Sequence, residues 1–216
     1  CVHDNATIEC ALFEVEIPAP GDMEVMVKIE ASPINPSDLG LMFGAADLST
    51  ARTAERDGQP AVLLDVPDAA MRAMAPRIGQ WMAVGNEGSG RVIAAGDSDA
   101  AQALIGQRVG MFGGEMYAGH RCLPASQCMA FPERISAKQA ASCFVNPMTA
   151  LGFMETRLLE GRQAIVHTAA ASNLGQMLLR LCQADGVPLV NIVRSDEQVE
   201  LLKSMGAEWV LNSQAE

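Results

Sequence analysis

Five segments near the end of the chain alternate between strand-like and helix-like patterns, and this order restricts the fold more than any other feature. Short apolar runs at 164–167, 188–193 and 209–211 predict three strands, and apolar residues at helical spacing predict helices at 174–184 and 196–205 between them. Strand, helix, strand, helix, strand is the βαβαβ pattern of half a doubly wound parallel sheet. The expected fold of this region is therefore α/β.

The predicted half-sheet ends with its third strand. A complete doubly wound sheet has a second βαβ half on the other side of the first strand, and no residues remain for it after Glu216. The strand at 164–167 would then be an apolar edge with open hydrogen-bonding groups. Either the sequence is truncated or another chain covers this edge, and we expect truncation.

The first half of the chain carries short strand-like runs. Polar and apolar residues alternate at 24–30, and similar runs bounded by glycine occur at 90–96 and 107–112. Glycine at the ends of short strands suits the tight corners of a small antiparallel barrel. Residues 47–80 are rich in alanine and mixed in charge, and we interpret them as an inserted segment with a short helix at 68–74.

The pattern changes near residue 136. Ser136 is a suitable N-cap for a helix at 137–144, and Pro147 suits the first turn of a second helix. We therefore divide the chain into a β domain at 1–135 and an α/β domain at 136–216.

Charge and cysteine content limit the partners. The formal net charge of −11 argues against a nucleic acid or an anionic membrane, because phosphate binding needs clustered Lys and Arg. No stretch approaches the roughly 18 uninterrupted apolar residues of a membrane span. Six scattered cysteines without a Cys-x-x-Cys pair predict a reduced, cytoplasmic protein. A zinc site is the alternative use for these cysteines, and buried thiols are the simpler interpretation.

The junction at 168–175, between the first strand and the helix of the βαβαβ pattern, is the predicted site for a pyrophosphate. The N–H groups at a helix N-terminus lack intrahelical acceptors and stabilise an anion. Ala170, Ser172 and Gly175 occupy the glycine positions of a Gly-x-Gly-x-x-Gly pattern. Small side chains keep part of the close backbone approach. Taken alone, this loop is equally compatible with an ordinary strand–helix turn.

The end of the second strand indicates which nucleotide is bound. A fold that selects NAD places Asp or Glu there to hold the ribose hydroxyls. Arg194 and Ser195 stand there instead, and a guanidinium beside a hydroxyl matches a 2′-phosphate. We therefore predict NADPH. The alternative is that Arg194 is a solvated strand-end charge, and the nearby Asp196 is compatible with a helix N-cap.

Further motifs give the chain a resemblance to a known family. They are Ile-Asn-Pro-Ser-Asp at 34–38, Gly-Asn-Glu-Gly-Ser-Gly at 85–90, Asn-Pro-Met-Thr-Ala-Leu at 146–151 and the segment 166–176. With these the whole chain resembles the medium-chain dehydrogenase/reductase superfamily, in its zinc-independent branch of quinone reductases and 2-enoyl thioester reductases. The resemblance implies a GroES-like barrel, a Rossmann domain, NADPH as cofactor and a homodimer when full length.

The resemblance also implies site residues. Asn35 and Thr149 are expected near the nicotinamide, and Ser172 to Gly175 at the pyrophosphate. The full predicted cofactor-binding set is Asn35, Asn146, Thr149, Ala171, Ser172, Asn173, Leu174, Gly175, Gln176, Arg194 and Ser195.

The chain departs from zinc-dependent members of the superfamily. Those members carry a ligating His at the position of Asn86, and the amide of Asn86 is a poor zinc ligand. The four-cysteine structural zinc lobe of such members is also missing from this sequence. We therefore expect no metal, and we interpret Glu87 as a buried hydrogen-bonding residue.

A second departure concerns the proton donor. Enoyl thioester reductases place a Tyr eight residues after the Asp of the Asn-Pro-Ser-Asp motif, and that position is Ala46 here. Asn35 and Tyr117 are weak catalytic candidates, and packing is the alternative role for Tyr117. His120 and His167 are further titratable residues, and we favour a satisfied core histidine over a cofactor-facing residue as the interpretation of His167.

The sequence thus predicts hydride transfer from NADPH to a quinone, an enone or a related conjugated carbonyl, without zinc. Water can protonate the resulting quinol, so quinone reduction is easier to reconcile with Ala46 than enoyl thioester reduction. Three alternatives stay open. They are enoyl thioester reduction with a donor other than Tyr, a noncatalytic nucleotide-sensing or interaction protein, and a domain fragment without activity of its own.

Overall fold

The computed structural model describes residues 1–215 and divides the chain into two compact units, unit 1 (Cys1–Ala141) and unit 2 (Ser142–Glu216). The strands of unit 1 are β1 Val2–His3, β2 Thr7–Ala11, β3 Glu24–Ala31, β4 Asp47–Arg56, β5 Gln59–Asp65, β6 Glu87–Ala95, β7 Arg108–Phe112, β8 His120–Pro124 and β9 Cys128–Phe131. Its helices are α1 Pro36–Phe43, α2 Asp68–Met74, α3 Asp99–Gln102 and α4 Ala137–Ala140.

Unit 1 contains a five-stranded antiparallel sheet in the order β8-β3-β6-β7-β9. The three strands predicted at 24–30, 90–96 and 107–112 are confirmed as β3, β6 and β7. Val25 and Val27 of β3 are fully buried in a core that β6 and β7 complete, as strict alternation along a half-buried strand requires. Closure of these strands into a barrel stays a prediction.

A second antiparallel sheet, in the order β1-β2-β5-β4, includes much of the segment interpreted as an insertion. Its strands β4 and β5 form a hairpin that was not predicted from the sequence. Asp57 and Gly58 make the turn with φ of 51° and 77°, and Asp-Gly is a favoured pair for a two-residue turn with positive φ. This dipeptide was the local signal for the hairpin. The predicted short helix at 68–74 is confirmed as α2.

A nearly buried carboxylate ties this second sheet together. Glu9 of β2 is 6% exposed and accepts two hydrogen bonds from the guanidinium of Arg56, at 2.6 and 2.7 Å. His3 Nε2 lies 2.8 Å from the same carboxylate, and the Arg56 guanidinium lies 4.8 Å from the ring centre of Trp81. The hydrogen bonds from Arg56 hold the pKa of Glu9 down at about 2.

We expect Glu9→Gln to lower the free energy of unfolding at pH 7 by about 2 kcal/mol, because it removes the charge from a paired, nearly buried site. A depressed carboxyl pKa contributes stability above its ordinary value of 4.5, and this contribution is lost as the pH falls toward 2. Urea unfolding at pH 7 and pH 3 therefore tests the pair, and the gap between variant and wild type should shrink at pH 3.

Asp65→Asn provides the matched control, since it breaks an exposed ion pair with Arg52 on the same sheet. Exposed pairs of this kind contribute little, so this variant should stay close to wild type at both pH values. An equal loss from Glu9→Gln at pH 7 and pH 3 would contradict the role given to the Glu9 charge.

Unit 2 contains the parallel half-sheet predicted from the sequence. Its strands are β10 Ile165–Thr168, β11 Leu189–Val193 and β12 Trp209–Asn212, in the order β10-β11-β12, and its helices are α5 Val145–Leu159, α6 Asn173–Asp185 and α7 Asp196–Ser204. Leu178 and Leu202 are fully buried and anchor α6 and α7 to the core that underlies the sheet. Gly186 ends α6 in the left-handed conformation, with φ of 65° and ψ of 29°. The βαβαβ order is confirmed.

Two helix boundaries differ from the sequence prediction. The helix expected at 137–144 ends at Ala140, although Ser136 caps it as predicted, in a capping box with Gln139. The next helix begins at Val145, two residues before Pro147, and Pro147 lies in its first turn, as predicted. Proline is tolerated throughout the first helical turn because N–H groups there have no intrahelical acceptor.

The strand β10 forms one edge of this sheet. Within residues 1–215 it is hydrogen-bonded to β11 only, and its Val166 side chain is 66% exposed.

The parallel sheet of unit 2 and the antiparallel sheets of unit 1 together match the predicted fold class. Across the same residues, none of the helices combines the length and apolar character needed to cross a membrane.

Candidate functional site

The loop between β10 and α6 has a backbone shape that depends on Gly175. Ala170 is fully buried, and its N–H donates to the carbonyl of Ile192 at 3.2 Å, which anchors the loop to β11. A Cβ atom at position 175 would collide with the carbonyl oxygen of Ala170. Ala169 has a φ of 52°, a left-handed conformation that favours glycine. Of the three predicted glycine positions, only 175 needs glycine for close contact.

Two side chains hold the loop against the start of α6. The Ser172 hydroxyl accepts a hydrogen bond from the N–H of Gly175 at 3.2 Å, which makes Ser172 the N-cap. The Gln176 amide donates to the carbonyl of Ala171 at 2.9 Å. Asn173 begins the helix, and no acidic residue lies in its first turn. The loop therefore presents helix N-terminal N–H groups without a competing carboxylate, which suits an anion.

Arg194 lies at the same edge of the sheet as this loop. Thr168 of β10 pairs with Ile192 of β11, so the loop and Arg194 both follow the carboxyl ends of neighbouring parallel strands. The Arg194 side chain is exposed and forms no ion pair within residues 1–215. Its charge is therefore free to meet an anion bound at this edge.

Ser195 caps α7, so its hydroxyl is already engaged. It accepts from the N–H of Gln198 at 3.4 Å, and its hydrogen bond to Glu197 lowers the pKa of that carboxyl. Asp196 is the first residue of α7 rather than its N-cap, which corrects the interpretation made from the sequence. Its carboxylate accepts a hydrogen bond from the side chain of Asn212 at 2.9 Å.

Unit 1 has a buried polar cluster of its own around the start of α1. Asp38 is fully buried, and its carboxylate accepts from the backbone N–H groups of Asn35 at 2.8 Å and Asn86 at 2.9 Å. The side-chain amide of Asn35 donates to Glu87 at 3.1 Å, and both residues are buried. Asn35 is therefore held from both its backbone and its side chain.

Tyr117 and Ala46 bear on the question of a proton donor. The Tyr117 hydroxyl donates to the carbonyl of Pro33 at 2.9 Å, and burial together with the charge of Asp38 raises its pKa to about 12. Ala46 is partly buried against the core of the second sheet. A hydroxyl engaged in this way fits a packing role better than proton donation.

Asn146 and Thr149 lie in the first turns of α5. The Thr149 hydroxyl donates to the carbonyl of Val145 at 2.6 Å, within the helix, and its side chain is exposed. The next residue, Ala150, belongs to the same buried cluster as Ala170 of the loop. The packing of α5 against α6 thus fixes the helix that carries Thr149.

The histidines have separate environments. Burial lowers the pKa of His167, and its ring lies 5.6 Å from the ring of Phe153. His167 is partly buried, and its Nε2 has no hydrogen-bond partner among residues 1–215, so its role as a core histidine stays a prediction. His3 contacts Glu9, as described above, and His120 begins β8.

The predicted site residues fall into three groups. The loop residues, Arg194 and Ser195 share the carboxyl edge of the parallel sheet, whereas Asn146 and Thr149 lie on α5 and Asn35 lies in unit 1. Sequence reasoning missed Asn212, which holds Asp196, and a polar residue at the end of the third strand was its only local signal.

In residues 1–215 no three side chains of His, Cys, Asp or Glu converge as a metal site would require. The Asn86 amide donates to the Ser37 hydroxyl at 2.9 Å.

Curated proteins of similar sequence are reductases. The chain is 28% identical over 211 residues to a mitochondrial enoyl-[acyl-carrier-protein] reductase of Caenorhabditis elegans, covering 94% of this chain and 52% of that protein. It is 27% identical over 216 residues to prostaglandin reductase-3 of Mus musculus, covering 99% and 48% respectively. The chain thus spans about half the length of the curated relatives it matches. No protein-family model matches it.

Solved structures agree with this relationship. A candidate NADPH:quinone reductase from Mesorhizobium loti superposes with a TM-score of 0.68 at 31% identity, covering 92% of this chain and 51% of that one. The quinone oxidoreductase of Escherichia coli complexed with NADPH superposes with a TM-score of 0.65 at 20% identity, covering 98% and 60%, and it supports the fold alone. These relatives and neighbours are quinone oxidoreductases and enoyl reductases, which is consistent with the zinc-independent branch of the medium-chain dehydrogenase/reductase superfamily that the sequence motifs resemble.

Proposed function

We propose that the protein carrying this chain is an NADPH-dependent oxidoreductase that reduces a quinone, an enone or a related conjugated carbonyl without zinc. The observation that carries the proposal is the carboxyl edge of the parallel sheet in unit 2. There a capped helix N-terminus without acidic residues in its first turn and Arg194, whose guanidinium forms no ion pair within residues 1–215, follow the ends of neighbouring strands. That pair of features suits a pyrophosphate together with a 2′-phosphate.

The residues of unit 2 fit the cofactor in distinct ways. Gly175 lets the start of α6 pack directly against the carbonyl of Ala170, and the N–H groups of Asn173 and Leu174 lie in the first turn of α6, where they can donate to a pyrophosphate. Arg194 would hold the 2′-phosphate, and Ser195 supports it by capping α7. When bound, NADPH supplies the hydride. The protein's part is to bind and orient the cofactor and the acceptor.

In unit 1 we propose a positioning role for the buried polar cluster. Asp38 holds the backbone of Asn35 and Glu87 holds its side-chain amide, so the Asn35 side chain keeps one orientation. Residues 1–135 would then form the domain that meets the acceptor, and residues 136–216 the domain that meets NADPH. A cytoplasmic location and a homodimer of the whole protein complete the proposal.

The lack of a suitable acid favours a quinone or enone as acceptor. Ala46 has no proton to donate, and the hydroxyl of Tyr117 is engaged by Pro33 with its pKa raised to about 12. Reduction of a quinone needs no acid from the protein, since water protonates the quinol. The named enoyl-[acyl-carrier-protein] reductases among the relatives support a second candidate, enoyl thioester reduction with a donor other than Tyr.

Steady-state oxidation of NADPH, followed at 340 nm, separates these candidates. The assay uses the longest form of the protein that carries these 216 residues, with a benzoquinone, a simple enone and a crotonyl thioester as acceptors. We expect turnover with the quinone or the enone and little with the thioester. Turnover with the thioester alone would favour the second candidate. NADPH binding without turnover of any acceptor would favour a noncatalytic nucleotide sensor.

A further inference from the structure

The end of β12 contacts the start of α7 at the same edge of the sheet as Arg194. The side chain of Asn212 donates from Nδ2 to the Asp196 carboxylate at 2.9 Å, and Asn212 Oδ1 accepts the N–H of Gln214 at 3.0 Å. A backbone N–H can only donate, so the second contact fixes which way the Asn212 amide faces. Its nitrogen must point at Asp196.

The backbone around Asn212 is also fixed. Asn212 pairs with Val193, the residue that precedes Arg194, and both the N–H and the hydroxyl of Ser213 donate to the carbonyl of Val193. Asn212 therefore occupies one position relative to the end of β11. The donor that it offers to Asp196 is held in place by strand pairing rather than by a mobile loop.

Asp196 lies two positions after Arg194 in the sequence, and its side chain is exposed. A carboxylate two positions after Arg194 in the sequence has two ways to reduce affinity for a 2′-phosphate. It can pair with Arg194 and neutralise it, or it can repel the phosphate directly. A carboxylate at the end of this strand is also the group that selects the unphosphorylated ribose.

We propose that Asn212 is a positioning residue for nucleotide choice, which holds the Asp196 carboxylate against β12 and so leaves Arg194 available to a 2′-phosphate. This inference rests on the proposed function and deepens it. Asn212 itself does not touch the nucleotide and acts only through Asp196. The preference for the 2′-phosphorylated nucleotide therefore depends on a contact between β12 and α7 as well as on Arg194.

The test measures affinity for two probes that differ only in the phosphate, 2′-phospho-ADP-ribose and ADP-ribose, by calorimetric titration of the 216-residue chain. Asn212→Leu keeps the size of the side chain and removes its donor. Loss of one hydrogen bond to a charged group should lower the preference for the phosphorylated probe about tenfold. Affinity for ADP-ribose serves as the internal control for folding, and it should stay near the wild-type value.

Asp196→Asn makes the test specific. If Asn212 acts through the Asp196 charge, the double variant Asp196→Asn with Asn212→Leu should keep the preference of Asp196→Asn to within about twofold. An equal loss in both backgrounds would mean that Asn212 touches the nucleotide itself, and it would overturn the proposal. An unchanged preference in Asn212→Leu alone would overturn it too.

The proposed function fails in a different way. If the wild-type chain binds neither probe, the assignment of a nucleotide site to unit 2 is wrong, and the inference about Asn212 falls with it. If the wild-type chain prefers the phosphorylated probe and Asn212→Leu leaves that preference unchanged, only the role of Asn212 is lost.

Discussion

Gly175→Ala is expected to reduce nucleotide binding below detection and to destabilise unit 2 by about 3 kcal/mol. The added methyl group would collide with the carbonyl oxygen of Ala170, which is backbone and cannot rotate away. Ala170 is itself fully buried and hydrogen-bonded to β11, so α6 would have to move instead. That movement shifts the helix N-terminus, whose N–H groups are the proposed pyrophosphate ligands.

Gly152→Ala is the matched control for this prediction. Gly152 lies within α5 of the same unit, and a Cβ atom there meets nothing within 4 Å. Alanine favours helix over glycine, so this variant should bind NADPH as wild type does and unfold at the same or a slightly higher temperature. Thermal unfolding and NADPH fluorescence titration of both variants check the pair. Normal binding by Gly175→Ala would remove the loop from the cofactor site.

Arg194→Glu is expected to lower the ratio of NADPH to NADH affinity by about 100-fold or more, because it replaces a charge-assisted hydrogen bond to phosphate with repulsion. Affinity for NADH should change much less, since the ribose hydroxyls lose no charged partner. The dependence of NADPH affinity on salt concentration gives a second test of this role for Arg194. Raising the ionic strength should weaken NADPH binding in the wild type more than in the variant.

Lys203→Glu makes the same change in net charge at the other end of α7, where the lysine is exposed. It therefore controls for long-range electrostatics, and its NADPH to NADH ratio should stay near that of the wild type. If both variants reduce the ratio equally, the effect belongs to overall charge, and Arg194 is then a solvated strand-end residue.

Much of unit 2 could be predicted because its elements are local. Each strand and helix of the βαβαβ pattern has its own apolar periodicity, and parallel pairing then follows from the order of elements. Even the position of Gly175 was predicted. The reason that glycine is needed there was not, because it depends on where the carbonyl of Ala170 points.

The hairpin of β4 and β5 shows a different limit. Its strand β4 is mostly exposed, so it has no apolar alternation to detect, and the turn at Asp57 and Gly58 was the only local signal. Exposed strands are specified by turn chemistry and by their neighbours rather than by their own pattern.

The polar side-chain contacts could not be predicted from sequence patterns. Asn35 and Glu87 are 52 residues apart along the chain, and Asp196 and Asn212 are 16 apart. The sequence predicted that Glu87 is buried and hydrogen-bonded but not that Asn35 is its partner, and Asp196 and Asn212 each look like an ordinary cap or strand-end residue. Only the fold shows that Ser195 rather than Asp196 caps α7, and that Asp196 is engaged by another strand.

The central claim is that NADPH binds at the carboxyl edge of the parallel sheet in unit 2. Its most direct test is an NADPH titration of the isotope-labelled 216-residue chain, followed through the backbone amide signals. Binding at this site shifts the amides of residues 171–176 together with those of Arg194 and Ser195, at one common affinity. Shifts confined to other residues, or none at all at millimolar NADPH, would contradict the claim.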